Sequence, residues 1–226
     1  MNPRKFATVA AAGIAATLIA AGAQALAFTN GSFEANPPNS VPGYNELWGG
    51  STAIPGWTTV LSGVEWVDPN AGGVPDFGDA EDGRMIVDLA NYVYTGGGLE
   101  QTFDTLAGTT YRVSFSGSTI QDYGRDGTGK IDVTAPGYSH TFGVSNLTAT
   151  LVWTQFVFDF VATGASSTLR FSNSEDPYAH FAMIDAVSVT AVPLPAAAWL
   201  MLSGLLGLGA VARRRIGVSG DATAAA

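Results

Sequence analysis

In Trp153-Thr154-Gln155-Phe156-Val157-Phe158-Asp159-Phe160-Val161 an aromatic ring recurs at every second position from Phe156, which puts Phe156, Phe158 and Phe160 on one side. Side chains of a strand alternate between its two faces, so this period of two predicts a strand with one face in an apolar core. The same grammar extends in both directions. Tyr111, Val113 and Phe115 alternate with Arg112, Ser114 and Ser116, and Leu99, Gln101 and Phe103 alternate with Glu100 and Thr102. Met85 to Leu89, Leu169-Arg170-Phe171 and Phe181 to Val189 are further short apolar runs. Turn formers separate them: Asn36-Pro37-Pro38-Asn39, Asp68-Pro69-Asn70, Asp126-Gly127, Ala135-Pro136-Gly137 and Asp176-Pro177. No stretch shows a 3.6-residue pattern long enough for a core helix, and no internal repeat is visible. Many short strands with Gly- and Pro-rich turns predict an all-β, jelly-roll β-sandwich.

The two ends read differently. Arg4 and Lys5 precede an apolar stretch from Val9 to Ala23, the pattern of a secretory signal peptide at residues 1–27. Two A-x-A cleavage sites compete, Ala23-Gln24-Ala25 and Ala25-Leu26-Ala27. Cleavage after Ala27 is favoured, which starts the β-sandwich domain at Phe28 and assigns it residues 28–191. At the other end an apolar run, Ala196 to Ala212, is closed by Arg213-Arg214-Arg215. At about 1.5 Å per helical residue it just crosses about 25 Å of hydrocarbon, the lower limit for a transmembrane helix. The arginines predict a cytoplasmic end, and Gly204, Gly207 and Gly209 would let a partner helix approach. Residues 216–226 read as a disordered tail.

Of the ten Lys and Arg residues, only Arg84, Arg112, Arg125, Lys130 and Arg170 lie between these ends, against every one of the nineteen acids except Asp221. So acidic a domain repels nucleic acid and anionic lipid and attracts cations such as Ca²⁺. There is no cysteine, which suits an oxidising compartment without requiring one.

Val192-Pro193-Leu194-Pro195-Ala196, followed by the apolar run and the arginine cluster, closely resembles the VPLPA variant of PEP-CTERM sorting signals. The resemblance covers residues 192–215 and implies processing by an exosortase in a Gram-negative bacterium that makes exopolysaccharide. It places the protein at the cell envelope, the outer surface or outside the cell, with a role in biofilm as one possibility. The eleven residues past Arg215 exceed the usual length of such tails. The middle of the chain resembles the choice-of-anchor C family and, more distantly, galactose-binding-like jelly rolls. The segments that carry this are Asn30-Gly31-Ser32-Phe33-Glu34, Ile54-Pro55-Gly56-Trp57, Val64-Glu65-Trp66-Val67, Val87-Asp88-Leu89-Ala90, Gly98-Leu99-Glu100-Gln101-Thr102-Phe103 and Ile184-Asp185-Ala186-Val187-Ser188-Val189.

Asp185 shares strand parity with Phe181, Met183, Val187 and Val189, so its carboxylate falls on a core-facing position. Such a group must be paired, metal-bound, turned outward by a bulge, or met by backbone N–H groups. Distantly similar carbohydrate-binding jelly rolls hold a structural Ca²⁺ in this region, and the resemblance implies Asn30, Glu34 and Asp185 as its ligands here, with carbonyls and water completing the shell. Asp122 to Gly127 lacks the ligand spacing of a calcium loop and reads as a turn, and Asp79, Glu81 and Asp82 read as a solvated loop. Sugars present flat C–H faces that stack on aromatic rings, which makes Trp48, Tyr92, Tyr94 and Tyr123 the polysaccharide-facing candidates. Trp57 and Trp66 read as core. His140 and His180 lie in no nucleophile or metal motif, so the expectation is a non-catalytic binding protein; a hydrolase using loop carboxylates is the alternative.

Overall fold

The computed structural model describes residues 26–38, 43–71, 77–91, 95–173, 175 and 179–193. Residues 1–25, Tyr92, Tyr94 and Leu194 to Ala226 lie outside the described residues. So do the signal helix, the sorting motif beyond Pro193 and the transmembrane helix at 196–212.

Twelve strands and no helix make up the described residues. They are β1 (Tyr44–Leu47), β2 (Thr58–Leu61), β3 (Val64–Val67), β4 (Ile86–Asp88), β5 (Ala90–Asn91), β6 (Thr95–Asp104), β7 (Thr110–Ser118), β8 (Thr128–Ala135), β9 (Tyr138–Ser145), β10 (Thr154–Val161), β11 (Ser166–Ser172) and β12 (Met183–Ala191). The first sheet runs β1-β3-β4-β12-β7-β10 and the second β2-β6-β11-β8-β9, with β5 paired to β6. Each pairing is antiparallel.

The two most regular stretches of the sequence are partners. β10 pairs with β7 so that Phe156 faces Phe115, Phe158 faces Val113 and Phe160 faces Tyr111. Their common side meets the second sheet. Phe115 lies 5.0 Å from Phe171, 5.2 Å from Phe142 and 5.3 Å from Phe156, centroid to centroid. Such tilted and edge-to-face contacts align ring edges with ring faces. Tyr138 of β9 stacks on Phe158 of β10 at 4.1 Å, joining the two sheets along that side. Trp57 and Trp66 are core residues, and each indole satisfies its N–H internally, on the Asn30 and Phe33 carbonyls.

The first sheet is covered on its outer side too. Val67, Ile86 and Met183 form a second small core there with Tyr44, Ala80, Leu151 and Trp153. The loops that cover this face shape the candidate site below.

Truncating Phe115 to Ala removes a ring at the junction of both sheets and should cost about 3–5 kcal/mol. Urea unfolding should show a lower midpoint with an unchanged slope; an unmoved midpoint would contradict the packing described.

Candidate functional site

Two groups of carboxylates stand out, and their surroundings differ. The first joins the two ends of the domain. Asn30 and Phe33 adopt positive φ (53° and 59°), which folds the Asn30–Glu34 segment into a tight hook. A Cβ on Gly31 would sit 1.8 Å from the Val187 carbonyl oxygen, so only glycine allows this approach, and Val187 N donates to Gly31 O at 2.9 Å. Beside it, the register between β12 and β7 shifts between Asp185 and Ser188, with Ala186 at φ 51°. This β-bulge lets Asp185 face outward opposite Ser116 while Val187, two residues on, turns into the inter-sheet core. The Asp185 side chain is fully buried, accepting the Asp82 N–H at 2.9 Å and the Ala186 N–H at 2.6 Å. Glu34 Oε1 accepts the N–H groups of Arg84 and Met85.

Both carboxylates therefore hold one loop, Glu81 to Met85, by its backbone. Burial pushes Asp185 up to about 7, against the backbone N–H groups of Asp82, Ala186 and Glu81, which favour its charged form. No guanidinium or ammonium is among the groups acting on it. The Asn30 side chain is committed at both ends, its oxygen to Ala35 N and its nitrogen to Pro55 O. Among the described residues no three Asp, Glu, His or Cys side chains converge as a metal cluster.

The second group lies on the outer face of the first sheet. The register places Glu46 opposite Glu65 on β1 and β3, and Glu65 opposite Asp88 on β3 and β4. Three carboxylates thus line up across neighbouring strands, a row about 10 Å long at the usual strand spacing. Arg125, from the β7–β8 connection, closes one end: its Nη2 meets Asp88 Oδ2 at 2.8 Å. The guanidinium lies 4.1 Å above the Phe181 ring and 5.6 Å from that of Phe77. Burial raises Glu65 to about 8, reinforced by the Asp88 and Glu46 charges and partly offset by Arg125. Burial also raises Asp88, against Arg125 and the Ala90 N–H. Burial thus favours the neutral form of Glu65, while Asp88 carries the ion pair to Arg125.

One carboxylate oxygen and one guanidinium nitrogen of this group, Glu46 Oε1 and Arg125 Nη1, are buried without a hydrogen-bond partner. An orphaned buried donor and acceptor each cost about 1–3 kcal/mol.

The sequence candidates are distributed unevenly around these groups. Tyr123 is 66% exposed and meets the Phe77 ring edge-on at 6.1 Å, on the ring that also faces Arg125. Trp48, 56% exposed, lies two residues beyond Glu46. Asp122 and Asp126 serve local turns: Asp122 accepts from Tyr123 N, while Asp126 accepts from Thr128 and contacts His180 Nδ1 at 3.3 Å. His140 is exposed, its ring edge against Phe142. Sequence reasoning missed the acidic row and Arg125. The available signal was a carboxylate inside each of two apolar runs, Val64-Glu65-Trp66 and Val87-Asp88-Leu89, but only the register shows that they face each other. A shallow groove of about 440 Å³ on the outer face of the second sheet has no aromatic lining, and its Glu100–Arg170 pair is already closed at 2.7 Å.

A family model described as "Protein of unknown function (DUF642)" matches residues 26–190. None of the curated proteins matches the chain. Among solved structures, the chain is similar to a family 61 carbohydrate-binding module in complex with β-1,4-galactotriose, at 21% identity over 63% of this chain and 92% of that one, TM-score 0.43. It is similar to an arabinose-bound α-L-arabinofuranosidase at 12% identity over 75% of this chain and 27% of that one, TM-score 0.48. The C-terminal domain of EclA, titled a sugar-binding protein, is 18% identical over 40% of this chain and 64% of that one, TM-score 0.34. The chain thus spans less than two thirds of the last two.

The raised Glu65 gives a signed prediction. The folded state holds its proton from the ordinary carboxylate range up to about 8, while the unfolded state has released it, so stability falls as pH rises through that window. Glu65→Gln mimics the protonated acid. Its Tm should match the wild type near pH 4 and exceed it at pH 8 and above; equal Tm values at both ends would refute the assignment.

Proposed function

We propose that this chain, which belongs to the DUF642 family, is an exported jelly-roll domain of the cell envelope that binds polysaccharide along the Glu46–Glu65–Asp88 row. The observation that carries the reading is the in-register row of carboxylates closed by Arg125, with the exposed Tyr123 on the ring that faces that guanidinium. Glu46 and Arg125 stand at opposite ends of the row, so separate sugar units would meet them, one donating a hydroxyl hydrogen bond to the carboxylate and another accepting from the guanidinium, while Tyr123 offers a ring for a C–H face. Trp48, near Glu46, offers a second ring. The jelly-roll description is supported by connectivity: the chain passes from one sheet to the other at most of its connections. Export rests on the leader pattern of residues 1–27, and exosortase processing with transient membrane insertion on the VPLPA-type motif and the run that follows it.

A hydrolase is the competing reading. Facing carboxylates with one pKa pushed to about 8 resemble an acid–base pair. Against it, Asp88 is buried and locked to Arg125. A glycan array together with a reducing-sugar release assay separates the two. Binding without turnover is expected, with Tyr123→Ala weakening it about 2–10-fold, the loss of one stacking contact; release of sugar would favour the hydrolase.

Calcium belongs to the same proposal. Glu34 and Asp185 offer hard oxygens, and no cationic side chain among the described residues is paired with the buried Asp185. Bound there, the ion would supply charge neutralisation and stiffen the Glu81–Met85 loop. Tm should rise with excess Ca²⁺ over chelator, and Asp185→Asn should abolish the difference. Identical wild-type midpoints in both buffers would sink the calcium assignment.

A further inference from the structure

The first described residues form part of the sandwich. Leu26 O accepts the Asp104 N–H at 2.7 Å, and Leu26 N lies 2.6 Å from Asp104 Oδ2 at the end of β6. Thr29 N donates to Gln101 Oε1 at 2.8 Å, and Gln101 Nε2 donates back to Thr29 O at 2.9 Å. Between them the Phe28 ring stands edge-on to Trp57 at 5.6 Å and to Phe103 at 5.5 Å.

This arrangement discriminates between two cleavage sites that the small-residue rule leaves equivalent. A cut after Ala27 removes Leu26 with both of its bonds to Asp104, and frees an ammonium at Phe28, next to the aromatic core. A cut after Ala25 keeps every contact. It also converts the Leu26 N–H into an α-ammonium already placed against a carboxylate, and a charge-assisted bond is stronger than the neutral one it replaces. We propose that the Ala25–Leu26 bond is the maturation site and that Asp104 is the acceptor for the new N-terminus. The inference rests on the export reading of the leader. A signal-peptidase-class endopeptidase adds water across the amide, leaving a carboxylate on Ala25 and a free amine on Leu26, which takes up the proton and pairs with Asp104. Cleavage acts on the chain before it folds, so the fold selects which product is held and does not need to expose the bond.

The test is intact-mass analysis and N-terminal sequencing of the full chain after export from a Gram-negative host. Leu26 is expected as the first residue. A start at Phe28 overturns the site but leaves export standing, whereas a retained Met1 overturns the export reading and the site with it. Ala27→Leu destroys only the downstream A-x-A and should leave the Leu26 start unchanged; a shifted or lost cleavage overturns the proposal. The role of Asp104 is read separately by titrating the α-amine by NMR. Its pKa should be higher in the processed wild type than in Asp104→Asn, and equal values would remove Asp104 from the proposal.

Discussion

A single loop, Glu81 to Met85, is gripped from both ends of the domain, and much of the molecule depends on that grip. Glu34 comes from the first hook of the chain and Asp185 from the last strand, and each spends its carboxylate on backbone N–H groups of this loop. A sandwich has no covalent tie between its ends, and this one has no disulfide. Carboxylate bonds to backbone N–H groups take that role, with a glycine at position 31 letting the two ends touch. The loop leads directly into β4, so the grip also fixes where Asp88 stands relative to Glu65.

The two carboxylate groups make an instructive contrast. In the clasp both carboxylates are met by donors of the main chain, and such a network builds structure. In the outer row, three acids share one guanidinium, and an acceptor and a donor remain without partners. Polar surplus at a partly covered face costs stability, so the row weakens the fold where the clasp strengthens it. Arg125 is suited to hold such a position, since its planar head packs on Phe181 while still forming its bond to Asp88.

Legibility from sequence followed the range of the interactions. The Phe156, Phe158, Phe160 alternation and that of Tyr111, Val113, Phe115 identified strands correctly because period two is a local property. The core positions of Trp57 and Trp66 were legible for the same reason. The sequence reading of Asp185 as core-facing is corrected by the register: Ile184 takes the inter-sheet core, and Asp185 faces outward opposite Ser116, buried beneath the Glu81–Met85 loop, whose main-chain donors have no sequence signature. Glu46, Glu65 and Asp88 are far apart in the chain and become one row only through register. The two candidate cleavage sites differ in nothing local either; what separates them is a contact made 78 residues away.

The strand β7 gives the molecule two poles. At its start, Thr110 O accepts the N–H of Val192, and nearby Leu26 meets Asp104 at the end of β6. At its far end, Ser118 pairs with Met183, which pairs with Asp88. Eight residues of strand separate these ends, about 27 Å. Leu26 and Val192 thus share one pole, and the acidic row lies level with the other. The row therefore lies about one strand length from the place where Leu26 and Val192 meet the sandwich.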